Sequence, residues 1–294
     1  MKRKNFSTRA FCACCVLVAS LLANSCSKEN EQRVISETGS KLKASYSTES
    51  ALRSAIAAAK AGDVISLSGT IKLTSTLKCT NSGTYGSKIT FQYGTLDCSG
   101  LPSGSRGVEV TGSYWIIKHM TISKAPDNGL LLQTGGYNSI SDCIFTGCGD
   151  SGFQCYNSGH DNAISSCTSS ENYDVANGGE NADGFACKLS AGKNNSFTSC
   201  TATHNSDDGW DLIEQPYTVI ITKCLSQRNG YGTAGDGNGF KLGGANQTVS
   251  HTVTYCTANN NLAYGYDGNG NTGHITTTGS SGSGNGKGLM TRIY

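Results

Sequence analysis

Three aspartates fall within five residues of the stretch NSDDGWDL, residues 205–212: Asp207, Asp208 and Asp211. Carboxylates packed this closely raise one another's pKa, so a counter-charge is required. A set of hard oxygen donors, with neither sulfur nor imidazole, suits calcium rather than zinc. Upstream, Asp183 stands in NADGFACKL (181–189); downstream, Lys241 stands in GNGFKLGG (237–244). A lysine near a divalent cation has its ammonium form disfavoured and becomes a usable base. Cation and base together suit proton abstraction α to a carboxylate: the cation neutralises the acid and steadies the developing charge, and the lysine takes the proton.

Bringing these residues together requires a repeat. A glycine followed by a large apolar residue recurs at Gly129-Leu130, Gly152-Phe153, Gly184-Phe185, Gly209-Trp210, Gly239-Phe240 and Gly265-Tyr266, at spacings of 23, 32, 25, 30 and 26. A second marker, a cysteine closing a short β-prone stretch, recurs at Cys143, Cys167, Cys200, Cys224 and Cys256. Units of about 25 residues are too short for propeller blades and describe an all-β solenoid, a parallel β-helix. Ser47 to Gly62 reads as one amphipathic helix, capped by Ser47, with Ala51, Leu52, Ile56 and Ala59 on one face. Such a helix would close the exposed end of the stack.

Strand alternation then assigns faces. The residue after each glycine (Leu130, Phe153, Phe185, Trp210, Phe240, Tyr266) points into the core. Two after it, on the outer face, stand Leu131, Gln154, Ala186, Asp211, Lys241 and Asp267. Adjacent coils lie about 4.8 Å apart, so Asp183 stacks beside Asp208 and Asp211 beside Lys241. Ligands on opposite sides of a calcium ion are about 5 Å apart, which matches one coil step. Gly209 is expected to bend the strand so that Asp208 turns outward, and Gly239, Gly243 and Gly244 to clear space beside Lys241. For an isolated Asp-Asp-Gly a solvated acidic turn is the plainer explanation; Asp183 one coil away favours the cation site.

The three motifs, in this order, resemble the signature of polysaccharide lyase family 9, over roughly Asn128 to Asn271. The resemblance implies a right-handed parallel β-helix that cleaves pectic polysaccharide by β-elimination with Ca2+. It implies that Asp183, Asp207, Asp208 and Asp211 bind the calcium and that Lys241 abstracts the C5 proton. The implied partner is an acidic plant polysaccharide, polygalacturonate first and rhamnogalacturonan as the alternative within the family. A cell-surface glycan-binding β-helix that keeps the cation site without turnover is the alternative outside it. Family members usually run several coils further, so the resemblance also implies coils beyond Tyr294.

The rest of the chain bounds the setting. A net charge of +2, with scattered Lys and Arg, gives no reason to expect nucleic acid. Lys2, Arg3, Lys4 and Arg9 precede an apolar run from Phe11 to Ala23, which reads as an export signal over residues 1–25. Ala23-Asn-Ser-Cys26 resembles a loose bacterial lipobox, making Cys26 a lipid-anchored N-terminus; ordinary cleavage would give a secreted protein. A polar tether over 26–46 and a monomeric β-helix domain over 47–294 follow. Ten of the 14 cysteines lie beyond Cys26. None forms a Cys-x-x-Cys pair; Cys79 and Cys98 are placed to form a disulfide, and the repeating ones read as small core residues. His204 and His251 read as loop or coil-edge polar residues. Asp267–Asn271 opens like an EF-hand loop, but Thr272 replaces the turn glycine, so it reads as a turn.

Overall fold

The computed structural model describes residues 43–294; the expected signal, Cys26 and the tether up to residue 42 lie outside the described residues. The tether expected over 26–46 ends earlier than its polar composition suggests, because Lys43–Tyr46 is already a strand paired in parallel with Val64–Leu67. Three nine-stranded parallel sheets follow, and each coil gives one short strand to each sheet, as a right-handed parallel β-helix requires. One coil, for example, supplies Phe153–Tyr156, Ala163–Ser165 and Thr168–Ser170.

The sheet containing Phe153–Tyr156 holds the predicted columns in register. Phe153 pairs with Phe185, Phe185 with Trp210, Trp210 with Phe240, and Phe240 with Tyr266. All five side chains are fully buried. From Phe185 onward their rings lie nearly parallel, with centroids 4.9, 4.8 and 5.0 Å apart. The one-coil rise equals the distance at which aromatic rings stack face on, so the strand ladder and the aromatic ladder reinforce each other.

Three corners turn each coil, and two of them are built from long side-chain or backbone repeats. Asp142, Ser166, Ser199, Lys223 and Tyr255 each adopt a left-handed conformation, with φ between 53° and 56°, and each precedes one of the repeating cysteines. The cysteines are free and buried. The Sγ atoms of Cys224 and Cys256 accept from the backbone N–H of Cys200 and Cys224 at 3.3 and 3.4 Å. The thiol is thus a core filler that also satisfies a corner amide. At the second of these corners an asparagine ladder runs through Asn172, Asn205, Asn229, Asn261 and Asn285. Each Nδ2 donates to the next Oδ1 at 2.8, 2.9, 3.0 and 3.0 Å.

Two expectations are corrected, and a third is refined. The helix (α1) spans Glu49–Ala58, with Thr48 rather than Ser47 as its cap. Ala59 turns extended and ends it before Gly62, though Leu52 and Ile56 do face the core. Cys79 and Cys98 form no disulfide: both are separately buried, and burial pushes both thiols up to about 12, away from the thiolate that exchange requires. His251 does stand in a loop, just before the strand Thr252–Thr254, but it is buried at 1% exposure, with Nδ1 accepting from the N–H of Val219.

Asn205 is fully buried between two rungs of its ladder. Asn205→Ala removes the Oδ1 that accepts from the Asn172 N–H and Nδ2 and the Nδ2 that donates to Asn229 Oδ1 and Ser169 O, leaving the buried Asn172 N–H unpaired, and should cost about 2–4 kcal/mol. Chemical denaturation checks this, and an unchanged midpoint would show that the ladder is decoration.

Candidate active site

The two long spacings in the repeat, 32 and 30, belong to loops between Thr168–Ser170 and Phe185–Cys187 and between Leu225–Gln227 and Phe240–Lys241. The loops meet across the shorter coil between them. Thr233 N–H donates to Gly178 O at 2.8 Å, and Tyr173 stacks on Tyr231 at 5.5 Å. Asp207 sits beneath this clasp and is gripped by both loops. Its Oδ2 accepts from the backbone N–H of Asn181 at 3.1 Å and its Oδ1 from that of Asp236 at 2.6 Å.

Asp183, Asp207 and Asp208 converge, each offering a carboxylate oxygen within 4.8 Å of the others, and all three are buried. Asp183 Oδ1 accepts from Asp208 N–H at 3.2 Å, and Asp208 Oδ1 from Asn238 N–H at 2.6 Å. The remaining Asp208 oxygen, Oδ2, is buried without a hydrogen bond and lies 3.4 Å from the Nζ of Lys241. Asp211 stands in register with Lys241, as the alternation predicts, but it falls outside the three-carboxylate cluster. Lys188 holds it alongside, with Nζ 2.7 Å from Asp183 Oδ2 and 3.0 Å from Asp211 Oδ2.

The electrostatics follow from this packing. Burial, reinforced by Asp211 and Asp207 and only partly offset by Lys188, pushes the Asp183 carboxyl up to about 8. Burial and the charge of Asp207 drive Asp208 well above the usual carboxylate range. Burial also works against ionised Asp211, but Lys188 and Lys241 outweigh it and hold that carboxyl low. Burial opposes the Lys241 ammonium too, yet Asp208, Asp211 and a 2.7 Å pair with Asp236 outweigh it and raise its pKa well above the ordinary lysine value. With every carboxylate ionised, Asp183, Asp207, Asp208, Asp211 and Asp236 outnumber Lys188 and Lys241 by five to two, and the raised Asp183 and Asp208 carboxyls show that the two lysines do not offset this negative charge. An oxygen-only donor set, an orphaned buried carboxylate oxygen and an excess of carboxylates over ammonium groups together fit a hard divalent cation.

These groups open onto a groove of about 420 Å³ lined by Lys188, Asp207, Asp211, Asp236 and Lys241, which continues over earlier coils to Arg106. The glycines serve the packing between coils more than the groove. Gly209 takes no positive φ, and a Cβ there would lie 2.0 Å from Ser226 Oγ and 2.5 Å from Gly239 O. It therefore lets the next coil approach and does not bend the strand; the amide of Asn238 is what holds Asp208 in place. Gly239 and Gly243 likewise abut the following coil rather than clearing space for Lys241. Asp267 pairs with Arg292 and accepts from Asn269 N–H at 2.7 Å, as a turn residue does. Two site residues escape the sequence reading. Lys188 lies four residues after Gly184, on the outward parity, and extending the alternation by two positions would have found it. Asp236 lies in a glycine-rich loop where no periodicity operates.

Known proteins resemble this chain over most of its length. Pectate lyase L of Dickeya chrysanthemi is 31% identical over 79% of this chain and 60% of its own length. Pectate lyase L of Paenibacillus polymyxa (strain SC2) is 35% identical over 70% of this chain and 51% of its own length. The crystal structure of pectate lyase Pel9A superposes with a TM-score of 0.72 at 32% identity, covering 76% of this chain and 61% of that one. The chain thus spans between half and two thirds of the length of these relatives. The family model described as "Pel9A-like, right handed beta helix region" matches residues 34–293, and the chain belongs to that family.

Proposed function

We propose that the protein is a calcium-dependent pectate lyase that cleaves polygalacturonate by β-elimination. One observation carries this reading: the buried, unsatisfied oxygen of Asp208 stands 3.4 Å from the amine of Lys241, within a cluster whose carboxylates outnumber its ammonium groups, beneath an open groove. The likeness to proteins named pectate lyase supports the substrate class.

Asp183, Asp207, Asp208 and Asp211 would hold the calcium. Calcium bound there supplies fixed positive charge that offsets the aspartates and the substrate carboxylate together, disfavouring the Lys241 ammonium and acidifying the proton at C5. Lys241, unprotonated, takes the C5 proton of the uronate. The electrons of that C–H bond form the C4–C5 double bond, the C4–O4 bond breaks, and the departing oxygen gains a proton from water. Asp236 keeps the amine aimed at the groove through its 2.7 Å contact. Asp207, fixed by two backbone amides, and Lys188, tied to Asp183 and Asp211, hold the carboxylates in place without moving during the reaction.

Incubation with polygalacturonate should release unsaturated uronate that absorbs in the near ultraviolet. The signal should vanish with chelator, and Lys241→Ala should lower kcat by about 10²–10⁴-fold. Binding of pectic polymers with no unsaturated product would sink the lyase reading, and full activity in Lys241→Ala would refute the base.

Lys188→Met leaves Asp183 and Asp211 buried with their shared counter-charge removed. We expect about 3–5 kcal/mol of lost stability in chelator-treated protein, measured by denaturant unfolding. An unaltered unfolding midpoint would mean that Lys188 does not hold the site together.

A further inference from the structure

The residue just before the glycine forms a column that runs the length of the groove. Each glycine N–H donates to the carbonyl of the column residue on the next coil: Gly107 to Asn128, Gly129 to Ser151, Gly152 to Asp183, Gly184 to Asp208 and Gly209 to Asn238. The member preceding Gly107 is Arg106, so Arg106 occupies the same place as Asp183 and Asp208. It stands three coil steps from Asp183, roughly 14 Å at about 4.8 Å per step.

Arg106 lines the groove, and among the described residues no other arginine does. Its Nε is buried with no hydrogen-bond partner, and its guanidinium pairs with none of the described carboxylates. Arg53 and Arg292, by contrast, are paired with Glu49 and Asp267. A buried donor without an acceptor is costly, and a guanidinium fork matches a carboxylate in two parallel hydrogen bonds. Asp127 and Asp150 line the same stretch. An anionic chain lying there therefore meets repulsion unless a cation receives its carboxylates. Beside these two aspartates the floor between Arg106 and the aspartate cluster is made of neutral groups, with the Nδ2 of Asn128 donating to Gln154 Oε1 at 3.1 Å.

We propose that Arg106 is a distal uronate subsite. It pairs with the carboxylate of a sugar ring several residues along the same polyuronate chain, and so selects long, unesterified stretches. This rests on reading the groove as a polyuronate-binding site. Arg106 does not touch the reacting atoms, so its effect falls on binding and on length preference.

The test compares wild type, Arg106→Gln and Arg106→Lys on long polygalacturonate, on oligogalacturonates too short to reach from Lys241 to Arg106, and on highly methyl-esterified pectin. On the long polymer, Arg106→Gln should raise KM about tenfold at unchanged kcat. It should leave the short oligomers unaffected and narrow the preference for unesterified polymer. Arg106→Lys, which keeps the charge without the fork, should recover part of the loss. An unchanged KM on the long polymer, or an equal rise on long and short substrates, overturns the proposal. Should wild type release no unsaturated product, calorimetric binding of long oligogalacturonate decides separately: a tenfold weaker Arg106→Gln upholds the subsite while the lyase reading falls. Equal affinity, or no binding by either protein, overturns the subsite.

Discussion

The groove floor buries four carboxylates with two ammonium groups, and this unequal pairing is the constraint that the rest of the molecule must hold in place. Like charges in a low-dielectric site separate or take up protons unless something rigid prevents it. Here the backbone prevents separation, and the raised Asp183 and Asp208 carboxyls record the remaining repulsion. Each aspartate of the group accepts at least one main-chain N–H: Asp183 from Asp208, Asp207 from Asn181 and Asp236, Asp208 from Asn238, and Asp211 from Ile213. The site is a set of oxygens pinned by amides from three successive coils, with Lys188 and Lys241 as fixed partial compensation.

A parallel β-helix suits this task because every coil repeats the same spacing. The strand separation that lets Trp210 stack between Phe185 and Phe240 at 4.9 and 4.8 Å is also the separation that brings Asp183 to Asp208 and Asp211 to Lys241. The aromatic column below stiffens the sheet whose outer face bears the charges, and the asparagine ladder locks one corner. The two insertion loops are the exception to the repeat. They clasp each other over one short coil, and from there they deliver the amides that grip Asp207 and the carboxylate that aims Lys241.

Much of this was legible in the residues. The Gly-aromatic recurrence sets the register, and the register assigns Trp210 to the core and Asp211 and Lys241 to one outer face, because strand parity is a property of the backbone alone. What alternation does not govern stayed hidden. Asp236 sits in an irregular loop, and the left-handed corners at Asp142, Ser199 and Lys223 use ordinary side chains rather than glycine, so no residue type marks them. Lys188 and Arg106 were within reach of the same logic, the first by continuing a strand two residues and the second by continuing a column one coil toward the N-terminus. Gly209 is instructive in another way: a glycine is indeed required there, but close approach of the next coil demands it rather than a bend in the strand.

A cluster whose carboxylates outnumber its ammonium groups should take up a divalent cation, and calorimetric titration of calcium into chelator-treated protein tests that most directly. The account predicts a single bound ion, with binding lost or strongly weakened in Asp208→Asn, where the orphaned carboxylate becomes an amide. The absence of binding in the wild type, or equal affinity in Asp208→Asn, would contradict it.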